Sequence, residues 1–273
     1  EVGSEERGSV DDVGGQTPTQ FDVSSVATGI VSRFNRLSVS AGGEFSRHDY
    51  DDVVATAGTV NNDDRDRDEL KFTLRAGYQI QDEYEAFTQV ILTSVDYDAA
   101  ADDNGLNRDG EGYEIRAGAR VDITALLFGD IFVGYLNRDY DGATLRSVDT
   151  IVGGLDLTWN VTPLTTITGG VERGIDETTL ATASGSLRTN YDLSVDHELL
   201  RNLILSAWAG VSTDDFEGTN RNDDYARAGL GAKYLLNRNF SLAFSYEYSE
   251  RDSSVSGSDY EINRVFLRLE AHL

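Results

Sequence analysis

The chain has 273 residues, with 48 acidic against 23 basic side chains and a formal charge of −25 at pH 7. That balance argues against nucleic acid, which calls for a basic footprint. The absence of cysteine excludes a disulfide framework and thiolate chemistry, and no run approaches the ~20 apolar residues of a membrane helix, whereas a spanning β-strand needs only ~9–11 residues with one apolar face.

Residues 1–20 are acidic, glycine-rich and aperiodic, and read as a tail or an extracellular loop. No signal peptide stands at Glu1 and the chain has no methionine, so the reading is of a processed or partial product. From Phe21 onward, thirteen runs of period-2 alternation are expected at about 21–33, 37–49, 69–80, 85–97, 112–123, 130–140, 146–159, 165–175, 186–196, 203–213, 224–235, 240–251 and 259–273. Residues 21–273 are read as one domain. The only prolines, Pro18 and Pro163, lie outside these runs, as a continuous ladder requires.

The faces are sorted. In 69–80, Leu70, Phe72, Leu74, Ala76, Tyr78 and Ile80 oppose Lys71, Thr73, Arg75 and Gln79. In 112–123, Tyr113, Ile115, Ala117, Ala119, Val121 and Ile123 oppose Glu114, Arg116, Gly118, Arg120 and Asp122. In the last run Val265, Leu267, Leu269, Ala271 and Leu273 oppose Arg264, Phe266, Arg268 and Glu270. The runs 85–97, 130–140 and 203–213 carry apolar residues on both faces, so their register is open, including the direction of Trp208. Glycines on the polar face (Gly77, Gly118, Gly154, Gly170, Gly210, Gly229, Gly231) read as coiled strands whose inner face need not pack tightly.

Connections alternate in length. They are short near residues 35–36, 81–82, 126–129, 160–165, 198–202 and 237–239. They are mostly longer and more acidic at 53–68, 99–111, 176–184, 214–223 and 253–258. One hairpin repeats about every 40 residues, with an Asp–aromatic–acid cluster at Asp49-Tyr50-Asp51, Asp96-Tyr97-Asp98, Asp139-Tyr140-Asp141 and Asp215-Phe216-Glu217. Short turns on one side and long loops on the other are the layout of an outer-membrane barrel. The expected fold is therefore an all-β, antiparallel, up-and-down transmembrane barrel, with apolar faces in lipid and charged faces around water. Tyr50, Tyr97, Tyr113, Tyr140, Tyr225 and Tyr248 near strand ends are expected in an interfacial girdle. Thirteen runs is an odd count, and bacterial single-chain barrels have even ones, so a strand is expected before Glu1 and fourteen or more in all.

The phrases Phe34-Asn35-Arg36-Leu37-Ser38-Val39-Ser40 and Leu236-Asn237-Arg238-Asn239-Phe240-Ser241-Leu242, with the run SDYEINRVFLRL at 258–269, resemble the type-2 beta-barrel porins of Gram-negative outer membranes. The resemblance covers roughly residues 21–273 and implies a link with polysaccharide export. Such barrels usually end in an aromatic residue, and this chain ends in Leu273.

The inner-face charges expected to line a pore are Lys71, Arg75, Glu114, Arg116, Arg120, Asp122, Arg188, Asp192, Arg227, Lys233, Glu247, Arg264 and Arg268. They read either as a mutually neutralising network or as basic rungs favouring anionic or saccharide solutes. The function expected is passive passage of hydrophilic solutes; the alternative is a non-conducting barrel with a plugged lumen and partner-binding loops. No metal-ligand spacing, phosphate loop or cofactor motif is present, and no cofactor is expected. Ser46 and His48 share a face but lack a third orienting group, so no enzyme is expected. Outer-membrane lipid and lipopolysaccharide are the expected surroundings, with divalent cations a candidate at the acidic loops and a homo-oligomer or envelope complex left open.

Overall fold

The computed structural model describes residues 2–4, 16–55, 58–181 and 183–271. The strands are β1 (Val2–Ser4), β2 (Gln20–Phe34), β3 (Leu37–Tyr50), β4 (Val53–Ala55), β5 (Gly58–Val60), β6 (Arg67–Gln81), β7 (Tyr84–Tyr97), β8 (Gly110–Thr124), β9 (Leu127–Tyr140), β10 (Val148–Thr162), β11 (Thr165–Asp176), β12 (Ser186–Leu200), β13 (Leu203–Phe216), β14 (Asn222–Leu235), β15 (Phe240–Ser253) and β16 (Tyr260–Ala271). Thirteen of them are 12–15 residues long and fall on the thirteen runs read from the sequence.

Fourteen strands form one sheet in the order β1-β2-β3-β6-β7-β8-β9-β10-β11-β12-β13-β14-β15-β16, each antiparallel to its neighbour. The short β1 pairs only with the loop end of β2, Val2 opposite Asp22 and Ser4 opposite Gln20, so the segment read as a tail or loop contains a strand. Strands β4 and β5 make a separate hairpin inside the loop after β3, a feature absent from the sequence reading. Among the described residues no ladder joins β16 to β1 or β2.

Five of the six connections at one end are two-residue turns; the sixth spans residues 236–239. Asn35 takes a φ of 57° in the first turn, a left-handed conformation that asparagine tolerates. Four ladders shift register beside these turns, at 79/81, 122/124, 160/162 and 198/200. Such bulges sharpen the local bend.

The sheet coils into a barrel wall. The Arg75–Asp130 pair (4.0 Å) reaches from β6 to β9 and the Arg116–Glu172 pair (3.7 Å) from β8 to β11, across the concave side. One cavity is lined by residues from β3 to β12. The apolar faces turn outward, as expected: Leu267 is 71% exposed, Val265 66% and Ile115 52%, while Glu114 on the opposite face is 7% exposed. Leu273 lies outside the described residues. An uninterrupted apolar exterior of this extent demands hydrocarbon around it. No helix of the described residues is long and apolar enough to cross a membrane; the strands do so.

The tyrosine girdle needs correction. Strand parity turns Tyr50, Tyr97, Tyr140 and Tyr225 inward; only Tyr113 and Tyr248 of the six face out. The guanidinium of Arg65 sits 4.0 Å over Tyr50, and that of Arg188 lies 5.7 Å from the Tyr225 ring. The outer aromatics are instead Tyr113, Tyr135, Tyr191 and Tyr248 on the loop side, with Tyr78, Tyr84, Trp159, Tyr234 and Phe240 on the turn side. They flank the apolar belt on both sides, where a ring is buried and a polar tip stays wet.

Several inner-face glycines are also tightly packed rather than loose. A Cβ on Gly118 would overlap Phe87, one on Gly154 would overlap Phe132, and one on Gly229 would overlap Trp208. Each ring packs against the neighbouring strand where only glycine leaves room, and at Gly118 the Ile131 carbonyl is closer still. Gly154→Val is therefore expected to lower stability by about 1–3 kcal/mol through overpacking. Gly43→Ala, where nothing stands within 4 Å of the new methyl, is the neutral control. Urea midpoints of the folded band on unheated gels compare the two.

Candidate functional site

The ladder positions of the thirteen predicted pore-lining residues place all of them on the inner face. Most are paired. Arg75 meets Glu85 at 3.3 Å, Arg116 holds Glu114 through both oxygens, and Arg120 grips Asp130 with two bonds of 2.8 Å. Arg188 bridges Asp176 (2.7 Å) and Asp214 (2.5 Å), and Arg227 meets Asp192 at 2.5 Å. Lys233 bonds Glu270 at 2.6 Å, and Arg264 lies 3.5 Å from Glu247. Lys71 lines the cavity that reaches from β3 to β12, and Asp122 stands near the turn-side rim. Arg268 makes no ion pair among the described residues. Continuous basic rungs are therefore absent: each of the seven cations just named as paired is matched by a carboxylate no more than two strands away.

Sequence reasoning missed the aromatic half of this lining. The Arg75 guanidinium stacks 3.6 Å from the centroid of Phe87, and Arg116 lies 4.2 Å from that of Phe132. These two stacks rest on Gly118 and Gly154. Trp208, whose direction was open, also points inward, across Gly229 and Gly231.

A second unforeseen feature closes the loop side. The loop of residues 177–185 folds inward. Arg108, on the loop between β7 and β8, is 2% exposed and holds it. Its Nη1 donates to the carbonyls of Thr178 (2.6 Å) and Ala183 (3.0 Å), its Nη2 to Leu180 (3.0 Å), and its Nε to Asp102 (2.7 Å). Asp102 also accepts the amides of Asn104 and Leu106. Glu177 turns down onto Arg138 of β9 at 3.2 Å, and burial pushes its carboxyl up despite that guanidinium. Burial likewise lifts the Asp66 carboxyl to about 6 although the Tyr50 amide bonds to it. Part of the loop acid is thus structural rather than solvated. No group of three or more His, Asp or Glu among the described residues converges as a metal site.

Beneath this loop the lumen is a string of cavities. The first, about 420 Å³, is lined by His48, Arg67, Arg138, Glu177, Arg188 and Phe216 among others. It shares Arg138 and Arg188 with one of about 380 Å³ carrying Lys71, Glu114 and Arg116. Arg188 and Asn190 also border a third, about 250 Å³. That one shares Arg227 and Glu247 with a fourth of about 470 Å³, which Trp208 lines. His48 faces Glu69 at 3.5 Å, and no hydrogen bond joins it to Ser46.

This geometry, an antiparallel meander with a polar, segmented interior, now meets the comparisons. Over residues 1–273 the chain matches the family described as "Putative beta-barrel porin 2", including the first twenty residues that the resemblance had left out. The chain belongs to this family. No curated protein matches it in sequence. Among solved structures it is similar to the copper transporter OprC, with 15% identity over 95% of this chain and 51% of that one, at a TM-score of 0.57. It is similar also to the alcaligin outer membrane receptor FauA from Bordetella pertussis, with 12% identity over 92% of this chain and 50% of that one, at 0.51. The FrpB iron transporter from Neisseria meningitidis gives 8% identity over 86% and 45%, at 0.53. The chain spans about half the length of these structures, and at such identity the likeness is one of fold. Family and fold together make it a β-barrel protein of the Gram-negative outer membrane.

Proposed function

We propose that this porin-family barrel is a passive channel for small hydrophilic solutes, saccharides among them, and not an enzyme. The observation that carries it is the string of four adjoining cavities sharing Arg138, Arg188, Arg227 and Glu247, which runs from beneath the folded loop into the lumen. Outer-membrane lipid and lipopolysaccharide are its proposed surroundings. The link to polysaccharide export rests on the family resemblance.

The pairing pattern argues against anion selectivity. The cavity of about 380 Å³ is lined by five carboxylates (Glu44, Glu69, Glu114, Glu172, Asp176) against Lys71, Arg116, Arg138 and Arg188. With acidic loops above it, the field inside favours cations over anions by a few-fold. Reconstituted into a planar bilayer, the full-length protein is expected to show discrete steps, and a salt gradient is expected to give a reversal potential of the cation-selective sign. A silent bilayer over folded protein would remove the channel. The second reading, a plugged barrel, is favoured by one observation, the loop at 177–185 held inside by Arg108.

A further inference from the structure

We infer that Trp208 is the platform of a subsite for a neutral sugar ring inside the lumen. The inference rests on the channel reading above and deepens it.

Three inner-face rings pack against glycines of a neighbouring strand: Phe87 on Gly118, Phe132 on Gly154 and Trp208 on Gly229. Two of them are capped, Phe87 by Arg75 and Phe132 by Arg116. Among the described residues no guanidinium lies over Trp208. Its indole borders a cavity of about 470 Å³ with Asp156, Thr168, Asp192, Ser194, Arg227 and Glu247 around it. A bare aromatic plane with convergent polar groups at its margin is the general form of a small-molecule site. A pyranose matches both parts: its axial C–H face is apolar and lies on a ring, while its hydroxyls point outward to the margin.

The unused hydrogen-bonding groups match too. The Trp208 N–H donates to no described residue, and the Asp156 carboxylate takes part in no side-chain bond or ion pair with any described residue. Asp192 and Arg227 are engaged with each other (2.5 Å), and Ser194 with Thr168 (2.5 Å), which fixes their positions. A free donor and a free acceptor on the margin of one cavity suit the hydroxyls of a sugar, which donate and accept. Three carboxylates, Asp156, Asp192 and Glu247, stand against two guanidinium groups, Arg227 in the lining and Arg264 at 3.5 Å from Glu247, and this net negative balance sets the charge preference. A uronate would face net negative charge; a neutral sugar would not.

The protein's two tryptophans make the test direct, because Trp159 faces outward, 46% exposed, and Trp208 faces in. In Trp159→Phe protein in detergent, Trp208 is the sole indole. Titration with maltohexaose is expected to shift and quench its emission saturably, and an oligomer of glucuronic acid is expected to do so at least about tenfold more weakly. In calorimetry, Trp208→Ala is expected to bind maltohexaose about tenfold less tightly, ~1.4 kcal/mol, while Trp208→Phe, which keeps a ring and the fold, retains most of the affinity. Unchanged emission across millimolar sugar, or an equal response to the uronate, overturns the subsite. The readout needs no conduction. Steps in a bilayer with silent emission would sink the subsite alone; saturable emission without steps would sink the channel and leave the subsite standing.

Discussion

Arg108→Ala is expected to widen the channel. The guanidinium makes four charge-assisted bonds, three of them to carbonyls of the 177–185 loop and one to Asp102. Its removal leaves the carbonyls of Thr178 and Ala183 buried without that donor, at about 1–3 kcal/mol for each unsatisfied group, and leaves Asp102 with the amides of Asn104 and Leu106 alone. The described residues of the loop form no helix or strand, and their other ties sit at its two ends, Glu177 on Arg138 and Ser184 on Arg146 and Glu217. The cheapest relief is for it to swing into water, where its carbonyls are hydrated. Single-channel conductance should rise and chymotrypsin should gain a cut after Leu180, while the barrel stays folded on unheated gels. Arg108→Lys, which supplies a point charge without the fork, should restore only part of the closure. If conductance and proteolysis both stay at the wild-type level, the loop is not the constriction. A wild type that is silent and an Arg108→Ala that conducts would favour the plugged reading for the resting state.

The second large effect is on stability. Asp223 is fully buried at the loop end of β14. It accepts from Arg221 through Nε (3.0 Å) and Nη2 (2.8 Å) and from Ser253 Oγ (2.5 Å), and Arg251 Nη1 lies 3.9 Å away with a side chain 1% exposed. Arg251 is further fixed by donating from Nε to the Ser258 carbonyl (2.9 Å) and by the Tyr260 ring, 5.0 Å from its guanidinium. Asp223→Ala removes the carboxylate that sits between the two arginines and leaves buried positive charge without that counter-charge, which costs about 3–5 kcal/mol. The urea midpoint should fall accordingly. The double variant Asp223→Ala, Arg251→Met should recover much of the loss, since an apolar replacement of a buried pair is often neutral or better. A single variant with an unchanged midpoint would show that the pair is solvated in the membrane-embedded protein.

The barrel wall was legible because lipid and water impose opposite demands at alternate residues. In β6 and β8 that demand is clean, and Leu70 to Ile80 and Tyr113 to Ile123 were read on their true faces. In β7, β9 and β13 it is blurred by inward Phe87, Ile91 and Val95, by Phe132 and Leu136, and by Trp208. These residues are apolar inside because a glycine on the next strand or a folded loop receives them. A pair such as Phe132 and Gly154 is 22 positions apart, and only the ladder makes it a unit. For the same reason the tyrosines of the Asp–aromatic–acid clusters looked interfacial by position, while one step of parity sends Tyr50, Tyr97 and Tyr140 in. The Arg108 latch joins two loops about 70 residues apart, and an acidic loop with one arginine carries no local sign of a fork closing on three distant carbonyls. The inner arginines were found, but their neutralisation was not, because carboxylate partners such as Asp130 of Arg120 and Glu270 of Lys233 sit on other strands.

The rings on their glycines also bear on how such a chain can drift. Positions 132 and 154, and 208 and 229, are locked as couples: a side chain gained at the second member has nowhere to go unless the ring at the first is lost. In sibling sequences the two members of each couple should therefore change together, a large residue trading places with a small one, whatever cargo the sibling carries.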